Sequence, residues 1–183
     1  MDQKRIYLTG FMTSGKSTLG PIIANVIGFD FYDLDKEIEK EENLSVIEIF
    51  EKRGEPYFRE IESRILKDLS NGNRVIISLG GGTIINSVNY ELMKRTGKIV
   101  YLKVSPSNLY KRLKNKIDRP LFRDLVLGEN PQEDFIHRIK ELLDKRKIYY
   151  EKADLTIDTD MSPIGITVDK IAKKIMDLFH EKN

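Results

Sequence analysis

The chain has no cysteine in its 183 residues, which excludes disulfides, thiolate metal sites and cysteine nucleophiles together and fits a reducing compartment. Histidine is nearly as scarce, with 2, and His137 lies in a polar helical pattern where a surface position is expected. No histidine-based metal or nucleophile site is therefore supported. A long apolar run is also missing behind the polar start Met1-Asp2-Gln3-Lys4-Arg5, so neither a signal peptide nor a membrane span is predicted, and the expectation is a cytoplasmic protein without a membrane partner. No charge dominates: 31 Lys and Arg against 29 acids leave a net charge of +2, too balanced for an electrostatic footprint on nucleic acid. There is no internal repeat, no low-complexity segment and no long Pro/Gly/Ser linker. With 40% hydrophobic residues, a single domain over residues 1–183 with one sizeable core is predicted. The absence of a heptad seam or an apolar interface stripe leaves a monomer as the expectation.

Gly10-Phe11-Met12-Thr13-Ser14-Gly15-Lys16-Ser17 fits the phosphate-binding loop G-x-x-x-x-G-K-[ST] in full. It follows the strand-like run Ile6-Tyr7-Leu8 and precedes apolar residues at helical spacing, Leu19, Ile22, Ile23, Val26 and Ile27, which is the context the motif requires. Gly10 and Gly15 let the backbone turn its N–H groups inward, Lys16 neutralises phosphate charge, and the Ser17 hydroxyl is a candidate Mg²⁺ ligand. The following helix N-terminus adds a favourable partial charge. Gly10 and the residues Met12 to Thr18, with Thr13 and Ser14 inside the loop, are thus the candidate site for ATP.

β-type runs at Ile6–Thr9, Asp30–Asp33, Arg74–Leu79, Lys98–Val104 and Leu155–Ile157 alternate with helical patterns, with no tight hairpin between them. This predicts an α/β fold, a three-layer α/β/α sandwich around a parallel sheet. Pro21 falls several residues into the first helix, where a bend is expected. Two segments interrupt the alternation. Residues 33–70 are helical in pattern with one strong turn signal, Gly54-Glu55-Pro56, and form a candidate substrate-binding lobe. Residues 115–131 are charged, carry Arg119-Pro120, Gly128 and Asn130-Pro131, and lack a sustained period; a lid is the expectation, because phosphoryl transfer needs water excluded.

The third β run ends without a carboxylate, in Ser78-Leu79-Gly80-Gly81-Gly82-Thr83. Glycines at the carboxyl edge of an open sheet let the backbone come close to a ligand. The acids come after the second run, in Phe31-Tyr32-Asp33-Leu34-Asp35, where strand alternation would point Asp33 and Asp35 the same way. An isolated Asp-x-Asp reads as a helix N-cap with a solvated neighbour; beside the phosphate loop, one acid suits magnesium through water and the other can orient or deprotonate an acceptor hydroxyl. Asn115-Lys116-Ile117-Asp118 matches the guanine-reading N-K-x-D, but it follows a helical pattern and no D-x-x-G segment accompanies it, so a GTPase is rejected.

In order and spacing, the loop from Gly10, Phe31-x-Asp33-x-Asp35 with Ile38-Glu39, Ile49-Phe50, Gly54-Glu55-x-x-Phe58-Arg59-x-x-Glu62, Gly80-Gly81-Gly82, Arg119-Pro120-Leu121 and Arg146 with Tyr150 resemble the shikimate kinases, a P-loop family of the nucleoside monophosphate kinase group. The resemblance implies a five-stranded parallel sheet of order 2-3-1-4-5 and transfer of the ATP γ-phosphate to the 3-hydroxyl of shikimate. It also implies Arg59 and Arg146 as a carboxylate clamp, Asp35 and Gly80–Gly82 on the hydroxyls, Phe50 and Phe58 walling the ring, and Asp33 supporting Mg²⁺. Lys16, Asp35 and Arg119 would be catalytic, Arg119 from the lid, and Arg112 would stack on adenine. Bidentate cations and hydrogen-bonding groups at opposite ends suit a small ring bearing one carboxylate and three hydroxyls.

Thr13 stands where the family often has glycine, and Leu34 where Ser or Thr is common. The usual proline near Arg146 is absent, so Lys145 competes for the second clamp position. Gluconate kinase shares loop and sheet and is the alternative enzyme; a nucleotide-dependent regulatory module, which needs no acceptor site, is the alternative of another class.

Overall fold

The computed structural model describes residues 4–114, 131–160 and 164–180. Five short runs pair as one parallel sheet: β1 (Arg5–Thr9), β2 (Asp30–Asp33), β3 (Val75–Ser78), β4 (Lys98–Lys103) and β5 (Leu155–Asp158), in the order β2-β3-β1-β4-β5. Every residue of the central β1 is buried, as a strand covered on both faces requires. Register sets Tyr7 beside Ile77 and Ile99, and strand alternation splits the core in two. Tyr7, Ile77 and Ile99 pack under α2 (Leu34–Glu42), α3 (Val46–Leu69) and α4 (Ser87–Thr96) on one face. Ile6, Leu8, Ile76 and Val100 pack under α1 (Lys16–Ile27) and α7 (Ile164–His180) on the other. A third cluster, Phe11, Val104, Leu109, Leu113, Phe135 and Ile139, joins α5 (Pro106–Leu113) and α6 (Pro131–Tyr150) to the phosphate loop.

The predicted sandwich and its strand order are both present. Strand ends differ slightly: Arg74 has a φ of 58°, in the left-handed region, and so falls outside the β3 ladder. Helix α1 runs through an exposed Pro21 and stops at Gly28, whose φ of 67° forms a left-handed cap. Gly20 is required by close approach, because a Cβ there would lie 2.3 Å from the Phe31 ring. The helical segment expected over residues 33–70 comprises α2 and α3. A capping box between Ser45 and Glu48 starts α3, and Gly54, at φ 82° and ψ 168°, breaks its course. The lid expected at residues 115–131 lies, apart from Pro131 at the start of α6, outside the described residues, as does Arg119.

Candidate active site

Positive φ angles at Gly10 (154°), Thr13 (60°) and Gly15 (105°) curl the loop between β1 and α1, the conformation that gathers N–H groups into an anion-binding nest. Lys16 folds back over the loop, its Nζ donating to the carbonyls of Gly10 at 2.8 Å and Phe11 at 3.2 Å. Thr13 Oγ1 and Ser14 Oγ are buried without a hydrogen-bond partner among the described residues, donors left over in a site shaped for phosphate. Arg112 reaches the loop from α5, its Nη1 donating to the Thr13 carbonyl at 3.0 Å.

Ser17 Oγ donates to Asp33 Oδ2 at 2.8 Å. Asp33 precedes α2 at the N-cap position, yet its carboxylate caps nothing. The two acids do converge, but not by strand alternation: β2 ends at Asp33, and Asp35 stands in the first turn of α2 while Leu34 turns fully into the core. Burial above all, then the charges of Asp33 and Glu62, raise the Asp35 pKa from 3.8 to about 6, against the pull of Lys16. An acid so poised within reach of the loop lysine suits proton transfer near neutral pH.

The three glycines after β3 each lie against one of the predicted acceptor groups. A Cβ at Gly80 would stand 2.8 Å from Asp35 Oδ1, at Gly81 2.8 Å from Arg146 Nη1, and at Gly82 2.7 Å from Arg59 Nη2. Backbone, carboxylate and two guanidiniums therefore meet at the sheet's C-terminal rim. Arg59 is fixed by Glu55 at 3.0 Å and by the buried Glu62 at 3.0 Å, and the other oxygen of Glu62 accepts from Thr83 Oγ1 at 2.7 Å. In the sequence Glu62 stands only within the pattern Phe58-Arg59-x-x-Glu62; its i, i+3 spacing from Arg59 on a helix carries the signal for the pairing. Phe50 and Phe58 lie with ring centroids 4.6 Å apart and planes tilted by 38° beside Arg59, which lies 5.2 Å over Phe58.

Arg146 is the residue that reaches Gly81, while Lys145 is exposed. Helix phase explains it, since Phe135, Ile139, Arg146 and Tyr150 recur along one face of α6. Tyr150 stacks on Tyr101 at 4.4 Å. His137 sits on the exposed side, 3.4 Å from Glu141.

The sequence profile of the shikimate kinase family matches residues 12–179. A shikimate kinase of Chloroherpeton thalassium is 44% identical over 174 residues, covering 93% of this chain and 91% of that one. Among solved structures, a shikimate kinase from Bacteroides thetaiotaomicron is similar with a TM-score of 0.84 at 35% identity, over 97% of this chain and 99% of that one. A shikimate kinase from Acinetobacter baumannii in complex with shikimate gives 0.81 at 32% identity, over 99% and 95%. Likeness that runs from within the phosphate loop into the last helix takes in every element that builds the crevice, and on that ground the chain belongs to the shikimate kinase family.

Proposed function

We propose that this chain transfers the γ-phosphate of ATP to the 3-hydroxyl of shikimate, giving shikimate 3-phosphate and ADP, a step of aromatic amino acid biosynthesis. The supporting observation is the row Gly80–Gly82 set against Asp35, Arg146 and Arg59 on the same rim as Lys16. That crevice offers two planar cations for a carboxylate, one carboxylate for a hydroxyl, and a lysine for phosphate. Shikimate bound to the Acinetobacter baumannii relative, 32% identical, supports the acceptor.

In this reading Arg59 and Arg146 hold the acceptor carboxylate, Phe50 and Phe58 wall its ring, and the Gly80–Gly82 backbone admits its hydroxyls close to Asp35. Asp35 takes the proton of the 3-hydroxyl as its oxygen attacks the γ-phosphorus and the bond to the ADP oxygen breaks. Lys16 stabilises charge spreading over the transferred group. Arg119, outside the described residues, would add a second cation from the lid, residues 115–131, and Arg112 would leave the Thr13 carbonyl to stack on adenine. Ser17 and Asp33, an oxygen-only pair at 2.8 Å, suit Mg²⁺ and would be the residues that hold it. Bound there, the ion neutralises phosphate charge. A cytoplasmic, monomeric enzyme with one domain over residues 1–183 completes the proposal, the single domain supported by one sheet that gathers all five strands.

Release of ADP from ATP and Mg²⁺, compared with shikimate, gluconate or no acceptor, tests this. Dependence on shikimate is expected. Equal release in all three tubes would defeat the kinase, and dependence on gluconate would replace the acceptor.

A further inference from the structure

We propose that Phe11 is a positioning residue that ties the phosphate loop to Arg146, so that nucleotide occupancy is felt at the cation receiving the acceptor's carboxylate. This rests on the acceptor role given to Arg146 above. Arg146 projects from α6 beside the Tyr150 hydroxyl, with Nη1 buried and no hydrogen-bond acceptor for that atom among the described residues, an arrangement that leaves part of the guanidinium in need of support. Its Cζ lies 5.6 Å from the centroid of the Phe11 ring, within the range of a cation–π contact. That ring is itself 1% exposed and packed among Val104, Leu109, Leu113, Phe135 and Ile139, so it is a fixed platform.

The other end of Phe11 belongs to the nucleotide. Its carbonyl accepts from Lys16 Nζ at 3.2 Å, and the Gly10 carbonyl accepts from the same ammonium at 2.8 Å. Phosphate draws that ammonium to itself, releasing both carbonyls, and in a close-packed cluster a small shift of the loop moves the ring beneath Arg146. One side chain thus joins two ligand sites, and linkage makes the effect reciprocal.

Calorimetric titration of shikimate, with and without MgADP, tests the coupling in the unaltered protein, in Phe11→Leu, in Arg146→Gln and in the double variant. In the unaltered protein MgADP is expected to change shikimate affinity by about fivefold or more. Phe11→Leu, which keeps apolar volume but loses the π face, should bring that factor to within roughly twofold of unity and weaken shikimate roughly 3–30-fold, the span of a partly desolvated cation–π contact. MgADP affinity alone should stay within roughly threefold, and Phe11→Leu should add nothing in the Arg146→Gln background. Phe11→Met serves if Phe11→Leu does not fold. Shikimate affinity indifferent to MgADP in the unaltered protein, equal losses for both ligands, or additive effects of the two substitutions would each overturn the coupling. Failure of the unaltered protein to bind shikimate at all would instead remove the acceptor reading beneath it.

Discussion

At Asp35, stability and activity pull in opposite directions. Its pKa, raised by burial and by Asp33 and Glu62 to about 6, means the fold favours the neutral acid. The sign follows: the protonated group costs little below about pH 4, and the penalty on folding grows as pH rises to 6 and is complete above it. Asp35→Asn should therefore be more stable than the unaltered protein at pH 7 by about 2–3 kcal/mol and no more stable at pH 4, as denaturant titration at the two pH values would measure. The same substitution should lower kcat by roughly 10²–10⁴-fold. In the unaltered protein kcat/KM for the acceptor should rise with pH through about 6, a limb the variant lacks. Gly81→Ala and Gly82→Ala press on guanidinium tips, at 2.8 Å and 2.7 Å, not on backbone, so the fold should survive while the arginines shift. Acceptor KM should rise roughly 10–100-fold, the worth of one or two charge-assisted hydrogen bonds, with nucleotide KM unchanged. The placement of Lys16 and Ser17 on the loop is legible in the sequence because a fixed spacing ties them to one turn, whereas Arg59 is singled out by the family resemblance. The bond from Thr83 to Glu62 joins residues 21 positions apart, and only tertiary structure brings them together. Between Lys145 and Arg146 the sequence leaves a choice of one residue, and the phase of α6 is what turns Arg146 toward Gly81.

Among the elements, α3 carries most of the acceptor wall, and its geometry depends on one residue. Phe50 precedes Gly54, whereas Phe58, Arg59 and Glu62 follow it. The dihedrals of Gly54, φ 82° and ψ 168°, belong to a region essentially closed to other residues. Its surroundings are open, since a Cβ would meet nothing nearer than Pro56 Cδ at 3.7 Å, so backbone strain alone sets the cost of substitution. Gly54→Ala should lower unfolding stability by about 1–3 kcal/mol and raise acceptor KM by altering the angle between the Phe50 turn and the Arg59 turn, measurable by denaturant titration beside initial rates. The sequence pattern marks Gly54-Glu55-Pro56 as a turn; the chain instead keeps helix on both sides of a single unusual residue, a result that depends on how α3 packs against α2 and α4 and that local propensity does not encode. The central strands β1, β3 and β4 are easier to place, because a strand buried on both faces is largely apolar and stands apart from its neighbours.

For the whole molecule, the site lies where the packed clusters meet. The phosphate loop joins β1 to α1, Asp35 hangs from α2, Arg59 from α3, and Arg146 from α6 beside the cluster that holds Phe11. Ligands bound there link elements on both faces of the sheet and bind only the assembled chain, so they should stabilise the fold globally by mass action. At a hundredfold excess over Kd each contributes about 2.7 kcal/mol, and in a protein of this size that raises the thermal midpoint by roughly 5–11 °C. MgADP and shikimate should each give such a shift, and gluconate at the same concentration none. Given together, independent ligands would add their free energies, whereas coupling through Phe11 should make the joint shift depart from the sum, and Phe11→Leu should restore additivity. A melting experiment with five tubes for each variant, the unliganded protein among them, thus reads the acceptor's identity from the single-ligand shifts and the link between the two sites from the combined one.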